Sequence, residues 1–157
     1  MQRIFFLLLV INGSVHAQKS SGPDELKYCL FDGDIGLGGY DPIGYFEQNT
    51  AIEGDIDITA THEGVIYQFT SEAHRKKFIA APEKYLPEFG GWCSMTLAMG
   101  QATTPKYDNF IIKDDKLFLF ERTLSVNGRE LWQQDPAANK KTASENYDQY
   151  KTTGKIN

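Results

Sequence analysis

Basic residues are in deficit in this chain: 16 Lys and Arg stand against 21 Asp and Glu, a net charge of −5 at pH 7. That balance argues against nucleic acid and anionic membrane surfaces as partners, and leaves a cationic partner or a metal ion open. Long hydrophobic runs are also lacking. The eight apolar residues Ile4 to Ile11 form the longest one, too short for an ordinary transmembrane helix. Cysteine is limited to Cys29 and Cys93, and histidine to three residues. No Gly-rich nucleophile elbow, HExxH, phosphate loop or paired-carboxylate pattern occurs, which weighs against the common hydrolase and nucleotide-dependent classes. Neither an internal repeat nor a low-complexity tract marks a domain boundary.

What is present begins with an export signal. Arg3 precedes the apolar run, Asn12-Gly13-Ser14 is a polar step, and Val15-His16-Ala17 is a small-x-small triplet. That order predicts a signal peptide over residues 1–17, cleaved after Ala17, and a periplasmic or secreted protein with no membrane span afterwards. Cleavage leaves 140 of the 157 residues and removes one Arg, so the net charge becomes −6. A single domain of that size buries roughly two-thirds of its unfolded surface and needs no staple to fold. Residues 18–38 read as an N-terminal arm, flexible through Leu26, and residues 39–157 as one domain with a C-terminal extension.

Within that domain, Asp41-Pro42 opens a helix as N-cap and first helical residue. Ile56 to Ala60 alternates, His62-Glu63-Gly64 turns, and Val65 to Phe69 returns as a β-branched and aromatic strand. Ser71 caps a helix with Phe78 and Ile79 inward and Arg75, Lys76 and Lys77 outward. Pro82 opens a short helix carrying Tyr85 and Leu86, Gly90-Gly91 breaks the chain, and Trp92 to Met99 reads as a third helix. Phe110–Ile112 and Leu117–Phe120 form a second hairpin about Asp114-Asp115. Leu131-Trp132 lies in a helical piece, and Asp135-Pro136 starts a helix with Ala143, Tyr147 and Tyr150 on one face. Hairpins interleaved with short helices make an α+β domain. Whether its many aromatic residues line a pocket or only the core stays open.

Few side chains carry chemistry. In an oxidising compartment the pair Cys29 and Cys93 reads first as a disulfide. It would close a loop of 65 residues, worth about 4 kcal/mol on the chain-entropy model. The competing reading keeps Cys93 reduced. Met95 and Met99, an i, i+4 pair, share a helix face, and thioether and thiolate ligands suit Cu(I). The thiol joins them only if the helix starts after Cys93, and the alternative is that both Met residues fill the core. His62 falls in a turn and reads as solvated; His74 is the third residue of its helix. A Cys93–His74 pair would be the minimal thiol nucleophile with a base, but nothing else catalytic accompanies it.

Four segments, in order, carry a resemblance to a family: Gly39-Tyr40-Asp41-Pro42-Ile43-Gly44-Tyr45-Phe46; Gly64 to Ser71; Phe78 with Pro82 to Pro87; and Gly90-Gly91-Trp92-Cys93. The stretch of about 60 residues from Tyr40 to Gly100 resembles a YHS domain of the secreted type. The resemblance implies a small α+β module related to cysteine-bearing metal-binding domains that occur beside copper and heavy-metal transport ATPases. The positions matching the family's cysteines are Ile43 or Gly44, Thr70 and His74, so only His74 keeps a ligand-capable side chain, and the usual Cys₄ or Cys₂His₂ zinc site cannot be assembled. The expectation is an exported metal-handling protein that binds Cu(I) or a similar soft metal ion through Cys93 with Met95, Met99 or His74. Its partner is then the metal ion or a metal-transport protein. The other expectation is a metal-free, disulfide-stabilised binding module.

Overall fold

Two short strands that carry no periodic signal come first in the computed structural model, which describes residues 24–157. They are β1 (Leu30–Phe31) and β2 (Ile35–Gly36). After helix α1 (Pro42–Gln48) comes the first hairpin, β3 (Asp55–His62) and β4 (Val65–Phe69). These strands make one sheet in the order β1-β2-β4-β3, with β2 parallel to β4 at Ile35 and Ile66 and the other pairs antiparallel. Residues 28–38 therefore belong to the folded domain, and Tyr28, Cys29 and Leu37 are buried in it. The segment expected to be flexible through Leu26 is already turned by Asp24. Asp24 Oδ1 accepts the N–H groups of Leu26 and Lys27 at 3.0 and 3.2 Å and turns the chain onto the domain. The signal read over residues 1–17, its cleavage point and residues 18–23 lie outside the described residues.

Cap chemistry sets the helices. Asp41 Oδ1 accepts the N–H of Ile43, two residues on, at 2.9 Å, and Pro42 stands at the first helical position, where its missing N–H costs nothing. Ser71 Oγ accepts from His74 N at 3.2 Å and starts α2 (Glu72–Ala80). Phe78 is buried as expected, whereas Ile79 is 55 % exposed. Consecutive helical residues sit about 100° apart, and with Phe78 centred on the core that rotation turns Ile79 toward solvent. Pro82–Lys84 forms a 3₁₀ turn. Helix α3 (Ser94–Ala98) is shorter than expected because Trp92 is still extended and Cys93 is the N-cap. Strands β5 (Lys106–Lys113) and β6 (Lys116–Phe120) form the second hairpin, followed by α4 (Gly128–Trp132) and α5 (Pro136–Thr153), which Asp135 caps. The fold is α+β.

Strand β6 explains how the layers stack. Successive side chains point to opposite faces of a strand, yet Leu117, Phe118, Leu119 and Phe120 are all buried. Leu117 and Leu119 pack into the cluster of Tyr28, Leu37, Ile43, Tyr45, Val65, Tyr67, Phe69, Phe78 and Tyr85. Phe118 and Phe120 pack with Phe89, Leu97, Trp132 and Ala143. The second hairpin is thus a middle layer, with the four-stranded sheet on one face and α3, α4 and α5 on the other. No helix of the described residues is long and apolar enough to cross a membrane.

Candidate functional site

The side chains expected to act together are dispersed. Helix α3 does start after Cys93, the condition under which its thiol joins the thioethers. The sulfur is engaged elsewhere, however. Cys93 is fully buried, and Sγ accepts N–H groups from Glu121 at 3.1 Å and Thr96 at 3.5 Å. Met95 and Met99 do share a small apolar groove of about 150 Å³ with Val126 and Leu131, and Met99 is 63 % exposed. His74 lies apart, on α2. Its Nδ1 is 2.6 Å from Asp41 Oδ2, which also accepts the N–H and the hydroxyl of Thr70 at 2.8 and 2.7 Å. A carboxylate only accepts, so Nδ1 carries the proton in this contact. The cluster ties α1, the end of β4 and α2 together through Thr70 and His74. Among the described residues no group of three or more His, Cys, Asp or Glu could hold a metal ion. Cys93 and His74, the minimal nucleophile–base pair, share no hydrogen-bond partner.

The expected Cys29–Cys93 bridge is not formed, and both thiols are free. Each sulfur packs against its own neighbours, Cys29 Sγ at 3.8 Å from Thr104 Oγ1 and Cys93 Sγ on the two backbone N–H groups above. An even cysteine count carries no information on whether two Cβ atoms meet.

A separate concavity lies elsewhere. A cleft of about 250 Å³ opens where the β3–β4 turn, residues 27–28, the segment Leu86–Gly90, the tip of the second hairpin and α5 converge. Four aromatic residues, Tyr28, Tyr67, Phe89 and Tyr147, are in its lining. The segment from Leu26 to Cys29 is strapped along one side. Trp92 Nε1 donates to Leu26 O at 3.1 Å, Tyr147 Oη donates to Lys27 O at 2.8 Å, and Cys29 N donates to Gly90 O at 2.9 Å. Gly90 has φ +60°, and a Cβ there would fall on the carbonyl oxygen of Lys27. Only glycine allows that approach.

Charges are arranged in pairs around the rim. Lys27 Nζ lies 2.5 Å from Glu63 Oε2, which also accepts the Tyr28 hydroxyl. Hydrogen bonds from Lys27 and then Tyr28 hold the Glu63 carboxyl below its ordinary range, and Glu63 in turn raises the Lys27 ammonium. Lys116 Nζ pairs with Glu88 at 3.4 Å, and Glu83 lies 3.0 Å from His62 Nε2. His62 closes strand β3 and stacks edge-on to Phe78, so it is not simply a solvated turn residue. Tyr67 is 2 % exposed, and its hydroxyl, which has no hydrogen-bond partner among the described residues, is open to the cleft and not sealed in the interior as Ser94 Oγ, Tyr107 Oη and Asn109 Oδ1 are. Burial first, then Tyr28 and Glu63, push its phenol up, so it keeps its proton at neutral pH.

Comparison of the chain with family models, with curated proteins and with solved structures finds no match. Fold and geometry therefore carry the functional argument.

None of the cleft residues stands out in the sequence. They come from five separated segments of ordinary surface and core composition, with no motif of fixed spacing. The one local signal is Gly90-Gly91, which reads as a break and in the fold is where the strap rests.

Proposed function

We propose that this protein is a non-catalytic binding module that holds a small molecule in the cleft between the Leu26–Cys29 strap and helix α5. The observation that carries the reading is the Tyr67 hydroxyl. A phenol on a nearly buried side chain, without a protein partner and opening into an aromatic cleft, is a group for a ligand to satisfy. The seam between two packed layers is also where such sites commonly form. The resemblance to YHS domains fits a small module in which the family's thiolate positions have been replaced, with Asp41, Thr70 and His74 acting as a structural tie. A set of neutral, anionic and cationic fragments, screened by ¹H–¹⁵N chemical-shift mapping, tests it. Shifts clustered at Glu63, Tyr67, Phe89 and Gly90 are expected. A screen in which every responding residue lies elsewhere would refute the assignment.

A second reading, soft-metal handling with export and a metal-transport partner, has one observation in its favour: the Met95 and Met99 thioethers line one groove, with Met99 exposed. Two thioethers suit Cu(I), which accepts two or three ligands. Cys93 does not fit as a third, being buried with its sulfur hydrogen-bonded inward. Competition for Cu(I) against a colorimetric chelator separates the readings. Retention of copper that is lost in Met95→Leu and Met99→Leu, and unchanged in Cys93→Ser, supports the thioether pair. Equal competition by all four proteins removes it.

A further inference from the structure

We infer that the ligand of this cleft is a primary organic ammonium, seated on Glu83 and the Tyr67 hydroxyl between the rings of Tyr28, Phe89 and Tyr147. The inference rests on the cleft being the binding site. Charge counting around its wall gives the sign. Three carboxylates, Glu63, Glu83 and Glu88, meet two ammonium groups, Lys27 and Lys116. Lys27 is spent on Glu63 and Lys116 on Glu88, so Glu83 is the carboxylate that no lysine answers. Among the described residues its ion-pair partner within 4 Å is His62 Nε2, at 3.0 Å. A cationic ligand therefore completes the balance, whereas an anion meets a surplus of its own sign.

The aromatic walls favour the same sign. Ring faces carry negative electrostatic potential and attract ammonium groups within about 6 Å. The chain already makes this contact at the mouth of the cleft. Lys27 Nζ sits 4.9 Å from the centroid of the Tyr28 ring while its charge is held by Glu63. A primary ammonium gripped by a carboxylate and a tyrosine ring is thus present in the fold, in the lining of the same cleft as Glu83. A primary amine is preferred to a quaternary one because its N–H groups can donate to both Glu83 and the oxygen of Tyr67. The Tyr67 hydroxyl is the independent feature that points to a ligand, since it has no protein partner among the described residues and, on a side chain otherwise buried, stays open to the cleft. An aromatic or short aliphatic body fits the cleft volume of about 250 Å³.

Three probes of one shape decide the class: benzylamine, benzyl alcohol and benzoate, titrated into the full chain and followed by ¹H–¹⁵N shifts. Benzylamine is expected to bind at the cleft about tenfold more tightly than benzyl alcohol, the worth of one charge-assisted contact. Benzoate is expected to be weakest. Glu83→Gln, an exposed change that leaves the core intact, should bring benzylamine down to the level of benzyl alcohol. Tyr67→Phe should weaken the amine several-fold. Equal binding of amine and alcohol, or preference for benzoate, would overturn the ammonium assignment while leaving the cleft as the site. Failure of all three probes, with other fragments shifting the same residues, overturns the ammonium assignment alone. Failure of every fragment at those residues removes the binding site with it.

Discussion

Asp41 concentrates four hydrogen bonds where α1, β4 and α2 meet, and it does so with no exposed surface. One oxygen starts α1 through Ile43 N, and the other takes Thr70 N, Thr70 Oγ1 and His74 Nδ1. Removing a buried acceptor leaves each of these donors unsatisfied, and such groups cost about 1–3 kcal/mol apiece before relaxation. Asp41→Ala is expected to destabilise the protein by about 3 kcal/mol or more, readable as a fall in Tm of about 10 °C. His74→Ala removes one donor and leaves the carboxylate its other three, so its cost should be nearer 1 kcal/mol. If His74→Ala proved as costly as Asp41→Ala in thermal unfolding, His74 and not Asp41 would be the centre of the tie. The role of Asp41 as a cap was legible in sequence because Asp-Pro acts on neighbouring residues. Its grip on Thr70 and His74 was not, since it joins positions about thirty apart.

At the scale of elements, the strap of residues 26–29 depends on one backbone approach. Gly90→Ala places a methyl group on the Lys27 carbonyl, at a backbone angle that L-residues tolerate poorly. A cost of about 1–3 kcal/mol is expected, and its signature is local: Trp92 loses its bond to Leu26 O, so its fluorescence should shift before global unfolding. The strap is also tied electrostatically, which gives it a pH dependence. The Glu63 carboxyl is depressed in the folded state, chiefly by Lys27 and then by Tyr28. It binds a proton less readily folded than unfolded, so its contribution is complete at neutral pH and fades as the pH falls through its lowered pKa. Because the pair is largely exposed, the effect is small and salt-screened. Proteolysis near Lys27 should therefore accelerate below the ordinary carboxylate range, and Glu63→Gln should flatten that dependence. Acceleration that persists unchanged in Glu63→Gln would assign it to another carboxylate. These tertiary ties escape the sequence for a physical reason. Two-residue strands such as Leu30–Phe31 and Ile35–Gly36 are too short to show a period. The Leu117–Phe120 run, by contrast, announces a strand buried on both faces.

At the scale of the whole molecule, the two clusters on either side of the second hairpin share β6 and are sewn together along the cleft. Tyr147 reaches Lys27 across it, Trp92 reaches Leu26, and Cys29 N reaches Gly90 O. Halves joined in this way should unfold as one cooperative unit. The two cysteines report on this from different elements, Cys29 within the strap and Cys93 at the N-cap of α3. Burial pushes the Cys29 thiol up against opposing hydrogen bonds from Thr104 and Tyr107, which slows its reaction as a thiolate. Pulsed alkylation along a denaturant series, read by intact mass, should show no adduct on the native chain. Two adducts should appear at a single midpoint that matches the loss of near-ultraviolet circular dichroism. Absence of adducts in the denatured, unreduced chain would mean that the thiols are joined, against their free state here. Separate midpoints for Cys29 and Cys93 would mean that the seam yields first. In Gly90→Ala, where the strap is lifted while both clusters persist, Cys29 should be labelled at lower denaturant than Cys93, converting the single step into two.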